Sequence, residues 1–177
     1  ETVARFGCTE PGASTFVDLV ADRVSLVELN GEALDPRTVF DGTRIALDGL
    51  AAENTLRVRA LCRYMRSGEG LHRFVDPVDK SVYLYTQFEV ADSRRVFTVF
   101  EQPDLKATFR FTVTAPSDWQ VVSNQASPTP EPAGAGSAVW RFEPTQRLSS
   151  YVSAIVAGHY HRVDSEYRVG DRTIPLG

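Results

Sequence analysis

Leu56-Arg57-Val58-Arg59-Ala60-Leu61-Cys62 alternates, putting Leu56, Val58, Ala60 and Cys62 on one face and Arg57 and Arg59 on the other. Thr108-Phe109-Arg110-Phe111-Thr112-Val113-Thr114 repeats the pattern, with Phe109, Phe111 and Val113 facing inward. Successive side chains of a β-strand point to opposite faces, so a period of two marks a strand with one wet and one buried side. Both stretches therefore read as half-buried strands of antiparallel sheets.

Outward from these two, the same pattern predicts strands over Phe16–Val20, Val24–Leu29, Arg44–Leu47, Ser81–Thr86, Gln120–Ser123, Ala138–Phe142, Tyr151–Val156 and Tyr167–Val169. Asn30-Gly31 follows one of them and signals a hairpin, because both residues tolerate positive φ. Pro116 closes the Phe109 strand, since proline has no N–H for a ladder. Ser127 to Gly136 is rich in Pro, Gly and Ala and reads as a loop between flanking strands. Helix signals are few; the best is Asp92 as an N-cap before Ser93-Arg94-Arg95. The expected fold class is all-β, an antiparallel sandwich or saddle with little helix, spanning residues 1–177 as a single domain.

Composition narrows the functions. The chain has 177 residues, 42% hydrophobic and 24% charged, enough to bury a core and too apolar to be disordered. Its net charge of −4 and scattered basic residues offer no positive stripe for nucleic acid. No run of about 18 apolar residues marks a membrane helix. Two cysteines, Cys8 and Cys62, read as small buried apolar residues, which fits a reducing cytoplasm.

Candidate chemistry is sparse. His159 and His161 would share a strand face and could approach one ion, but no third ligand sits at a matching spacing. The expectation is no metal site and no catalytic residue in this chain: H-E-x-x-H, G-x-S-x-G and a Gly-rich phosphate loop are all missing. The dense segment is Tyr85-Thr86-Gln87-Phe88-Glu89-Val90-Ala91-Asp92-Ser93-Arg94-Arg95. If the strand runs through Glu89, then Gln87 and Glu89 project together while Phe88 turns into the core. A carboxylate beside an amide oxygen suits an ammonium group, which donates to both. The structural alternative is a surface ion pair of Glu89 with Arg94 or Arg95.

The stretch from Tyr85 through Phe97, followed by Phe100-Glu101-Gln102-Pro103-Asp104-Leu105-Lys106-Ala107-Thr108-Phe109, resembles the signature of the aminopeptidase N family of zinc metallopeptidases. That signature runs T-Q-x-E-x-x-D-A-R-R-x-F-P-C-F-D-E-P-D-x-K-A-x-F. Gly68-Glu69-Gly70-Leu71, Trp119-Gln120-Val121-Val122-Ser123-Asn124 and Ser149-Ser150-Tyr151-Val152-Ser153-Ala154 extend the match in order. Gly70 to Pro77 looks most like actinobacterial members. Three departures stand out: Ser93 for Ala, Thr98-Val99 for Pro-Cys, and Glu101-Gln102 for Asp-Glu. They are expected to alter packing around Pro103 and to leave the amine site alone.

The resemblance implies a β-rich N-terminal domain, truncated at both ends, that packs on a catalytic domain carrying the zinc and the G-A-M-E-N and H-E-x-x-H motifs. It implies that family members place one more strand before Glu1, leaving an unpaired edge here. It further implies peptide substrates with a free N-terminus, with Gln87 and Glu89 holding the α-amino group and lining the first side-chain pocket. On its own the piece would be inactive. A stand-alone binding module, with Trp119, Trp140, Tyr83 and Tyr85 as an exposed stripe, is the alternative, and a relative whose catalytic domain has been lost is a third.

Overall fold

A computed structural model describes residues 1–176, and antiparallel sheet dominates them. In chain order the strands are β1 (Thr2–Gly7), β2 (Thr15–Asp18), β3 (Arg23–Leu29), β4 (Glu32–Leu34), β5 (Arg44–Leu47), β6 (Glu53–Leu61), β7 (Gly70–Val75), β8 (Val82–Gln87) and β9 (Thr112–Pro116). They continue with β10 (Gln120–Ser123), β11 (Glu131–Gly134), β12 (Ser137–Arg141), β13 (Ile155–Gly158), β14 (Ser165–Val169) and β15 (Arg172–Leu176). One four-residue helix, α1 (Pro36–Val39), starts at an Asp35 cap whose carboxylate accepts from the Arg37 N–H. The all-β expectation holds. Among the described residues no helix is long and apolar enough to cross a membrane.

The fold has two cores, each formed where one sheet lies on another. In the first half the order is β1-β6-β3-β4, and the β2-β5 pair packs on it. Leu56 and Val58 of β6, Val27 and Leu29 of β3, Val17 of β2 and Ile45 and Leu47 of β5 close this core. The alternation that begins at Leu56 is realised as read, with Leu56 and Val58 buried and Ala60 and Cys62 packed at the margin. Asn30 and Gly31 take φ of 54° and 87° and turn β3 into β4, the geometry that two-residue hairpins favour.

In the second half the order is β10-β13-β8-β7, facing the three-stranded β11-β12-β9. Leu84, Val121, Trp140, Phe142 and Ala157 form that core, with Phe111 and Val113 against it. Residues 109–111 lie beside 142–145 through Phe142 N–H to Phe111 O and Thr145 N–H to Phe109 O, so the inward alternation begins before β9 does.

Two elements differ from the sequence expectation. Tyr151–Val156 is not one strand: Ser150–Val152 forms a 3-10 turn and β13 starts at Ile155. Ser149, Ser150 and Ser153 are buried and direct their hydroxyls to Pro103 O, Glu101 and Ser150 O, so local hydrogen bonding overrides the β-propensity of Tyr151 and Val152. The Pro-rich loop also contains an edge strand, β11, with Pro132 in it, where a missing N–H costs least.

The segment from Phe88 to Glu101 joins the two cores. Phe88 stacks edge-on against Phe97 at 5.7 Å, and Phe97 touches both Phe109 and Phe111 at 5.9 Å. On the other side, Asp18 and Val99 exchange backbone hydrogen bonds and Val20 N–H donates to Arg94 O.

Candidate functional site

β8 ends at Gln87, and Glu89 opens the turn that follows, so the strand does not run through Glu89 as the spacing anticipates. The side-chain alternation nevertheless persists. Phe88 is 2% exposed, whereas Gln87 and Glu89 are both exposed on the outer side. The two acceptors are tied together: the Glu89 N–H donates to Gln87 Oε1 at 2.8 Å. That donor fixes which end of the amide is oxygen, leaving one further lone pair on it. The Glu89 carboxylate makes no ion pair among the described residues.

Arg94 and Arg95 are engaged elsewhere, which overturns the ion-pair alternative for Glu89. Arg95 Nε donates to Asp92 Oδ1 at 2.7 Å and its Nη2 lies 3.4 Å from Glu69. The Asp92 hydrogen bond holds the Arg95 guanidinium above its ordinary pKa, with burial pulling the other way. Asp92 accordingly caps nothing. The turn it precedes is three residues of 3-10 helix, with no side-chain cap. Arg95 lies over Gly70, the β7 residue paired with Gln87. A Cβ at Gly70 would meet Arg95 Cβ at 3.0 Å, and its φ is +60°, so glycine is required there on two counts.

The departures at 93 and 101 meet each other. Ser93 Oγ lies 2.6 and 2.7 Å from the two carboxylate oxygens of Glu101, and the Arg94 N–H donates to the same carboxylate at 2.6 Å. Sequence reading misses this pair because eight positions along an irregular segment have no fixed geometry.

Gln87 shares its face with an aromatic row. Cross-strand pairs His72↔Tyr85 and Phe74↔Tyr83 stand beside Gly70↔Gln87, and Tyr83 contacts Tyr160 at 5.0 Å. Tyr85 is 37% and Phe74 45% exposed, whereas Trp140 is buried in the second core. A recess of about 380 Å³ lies among Phe16, Asp18, Arg44, Ala91, Arg94 and Glu101. It touches neither Gln87 nor Glu89, so the acceptor pair is a surface feature of this chain and not a closed pocket. His159 stands 3.8 Å from Asp118 and against Trp119. Among the described residues no three His, Cys, Asp or Glu side chains could hold a metal, so they do not fit a zinc site.

The sequence profile described as Peptidase M1 N-terminal domain matches residues 54–152, which include β8 and the turn after it. The chain belongs to this family. An aminopeptidase N of Streptomyces lividans is 59% identical over 177 residues, covering 99% of this chain and 20% of that protein. An aminopeptidase N of Acetobacter pasteurianus is 41% identical over 83 residues, 47% of this chain and 23% of the relative. One of Bos taurus is 32% identical over 95 residues, 52% of this chain and 10% of the relative. The chain thus spans about a fifth, or less, of the length of these curated relatives. The M1 match covers β7, β8 and β10 and the segment that joins the two cores, and it ends before β13.

Proposed function

We propose that this chain is the substrate-end-reading part of a zinc-dependent aminopeptidase, a peptidase that removes residues from the free N-terminus of peptides. The observation that carries the proposal is the outward pair of acceptors, Gln87 and Glu89, on a strand end anchored by a buried Phe88. An α-ammonium has three N–H donors and no acceptor. The free Glu89 carboxylate and the second lone pair of Gln87 Oε1 can receive two of them, one bond being charge-assisted. Holding the peptide by its charged end fixes which amide lies one residue away, so position along the chain becomes the specificity.

The zinc would belong to a second domain of the same polypeptide, since the described residues here do not hold one. When bound there it would supply Lewis-acid chemistry at the scissile carbonyl. The aromatic row His72, Phe74, Tyr83 and Tyr85 supports a second surface closing over this face and enclosing the acceptors. Of the four aromatics that a stand-alone binding module would use, Trp140 lies in the core, Trp119 and Tyr83 are half-buried and Tyr85 is exposed, which weakens that alternative. Cytoplasmic location is part of the proposal and accords with the unpaired Cys8 and Cys62.

The test is Glu89→Ala in the full-length enzyme, assayed with alanyl and leucyl anilides. Leaving an ammonium without its anion costs about 2–5 kcal/mol, and the lower end is about a thirtyfold rise in KM. An unchanged KM refutes the role. The isolated 177-residue chain is expected to hydrolyse neither anilide.

A further inference from the structure

Glu101 occupies an unusual position for a carboxylate. Its Oε1 accepts from Ser93 Oγ at 2.6 Å and from Ser150 Oγ at 2.9 Å. Its Oε2 accepts from Ser93 Oγ at 2.7 Å and from the Arg94 N–H at 2.6 Å. Ser93 is 0% and Ser150 3% exposed, so these hydroxyls have little water to fall back on. The Glu101 N–H in turn points to Asp18 Oδ2 at 3.4 Å, joining the cluster to the first core.

Residues 88–95 form one hydrogen-bonded turn. The Asp92 N–H donates to Phe88 O at 3.2 Å, the Arg95 N–H to Asp92 O at 3.1 Å, and the Phe97 N–H to Ser93 O at 3.1 Å. Glu89 lies inside it. One end is fixed to β8 by Gln87 Oε1, the other by the Glu101 carboxylate. The signature quoted above has Ala at the first and Asp at the second of the two positions that Ser93 and Glu101 occupy. Here the carboxylate is one methylene longer and a hydroxyl stands ready to meet it. Either change alone is unfavourable in this geometry. An aspartate would draw back from Ser93 and leave a buried hydroxyl unsatisfied, and an alanine would take a donor from a half-buried anion.

Resting on the amine-binding role of Glu89, we propose that Ser93 and Glu101 are a reciprocal pair of positioning residues that set the turn on which Glu89 is presented. They touch no substrate and act through the backbone of residues 88–95. The bond between them is shared, so each depends on the other.

The experiment uses the full-length enzyme with Ser93→Ala, Glu101→Asp and the double variant, beside Glu89→Ala. Each single variant is expected to raise KM for alanyl anilide by about tenfold, the loss of one charge-assisted bond, with kcat little changed. The double variant raises KM no further than the larger single effect, because the same Ser93–Glu101 bond is lost in all three. Hydrogen exchange over residues 88–95 speeds up in each single variant and no further in the double. A double variant worse than either single, or exchange over 88–95 that no variant alters, overturns the proposal. If Glu89→Ala raises KM and Glu101→Asp does not, positioning fails and the amine role stands. If Glu89→Ala leaves KM unchanged, the amine role fails, and with it the claim that the pair acts on substrate; exchange then decides only whether the pair sets the turn.

Discussion

Phe88→Ala tests the anchor on which the site geometry depends. Phe88 is 2% exposed and meets Phe97 edge-on at 5.7 Å, while its neighbours on either side point to solvent. Truncating a fully buried Phe costs about 3–5 kcal/mol, transfer and cavity together. For a chain of this size each kcal/mol lowers Tm by roughly 2–4 °C, so the expected fall is about 6–20 °C. Phe88→Leu keeps most of the volume and loses the edge contact, which should cost about 1–2 kcal/mol. Thermal unfolding of the 177-residue chain, followed by circular dichroism, measures both. A fall of only a degree or two for Phe88→Ala would mean that Phe88 is not packed inward. The opposed directions of Phe88 and its flanking acceptors would then be wrong.

Gly158→Ala in β13 should lower Tm by at least about 5 °C, because the residue has φ of +150° and the new Cβ would lie 2.5 Å from Val82 O; an unchanged Tm would show that β13 and β8 are not so close. Glu1 bridges Arg59 and Arg57, whose hydrogen bonds lower its carboxyl from 4.5 to about 2. A lowered folded pKa gives stability that is present above 4.5 and lost as pH falls through about 2, so Glu1→Gln should flatten that part of a denaturation profile. Solvent around this surface pair keeps the effect small, and a steeper acid limb in the variant would contradict the assignment. Burial pushes the Cys62 thiol upward, so alkylation at neutral pH should be slower there than for a free cysteine and should accelerate on unfolding; equal rates would place Cys62 in open solvent.

What the sequence discloses follows its periodicity. β5 and β10 match their expected bounds, and β3 turns into β4 where Asn30-Gly31 signals it, because in each case the local pattern and the tertiary environment agree. β1 is absent from the expected strands although Ala4 and Phe6 pack on the first core with a period of two, because Val3 on the outer face blurs the alternation. Tyr151–Val156 misleads because side-chain hydroxyls from three serines outweigh propensity. At the candidate site, the direction of Gln87, Phe88 and Glu89 follows from period two. The release of Glu89 from Arg94 and Arg95 does not, since it depends on Glu69, Asp92 and Asp18 competing for those cations. Nor could spacing alone disclose the contact of Ser93 with Glu101.

The β14–β15 ribbon has a consequence of its own. Tyr167 pairs with Ile174 and Ser165 with Leu176, yet Tyr167, Val169, Ile174 and Leu176 all remain about half exposed. A two-stranded ribbon with no layer beneath it among the described residues contributes little cooperative stability and opens on its own at almost no cost. A protease should therefore nick this hairpin while both cores stay folded, and the trimmed domain should melt at the temperature of the intact one.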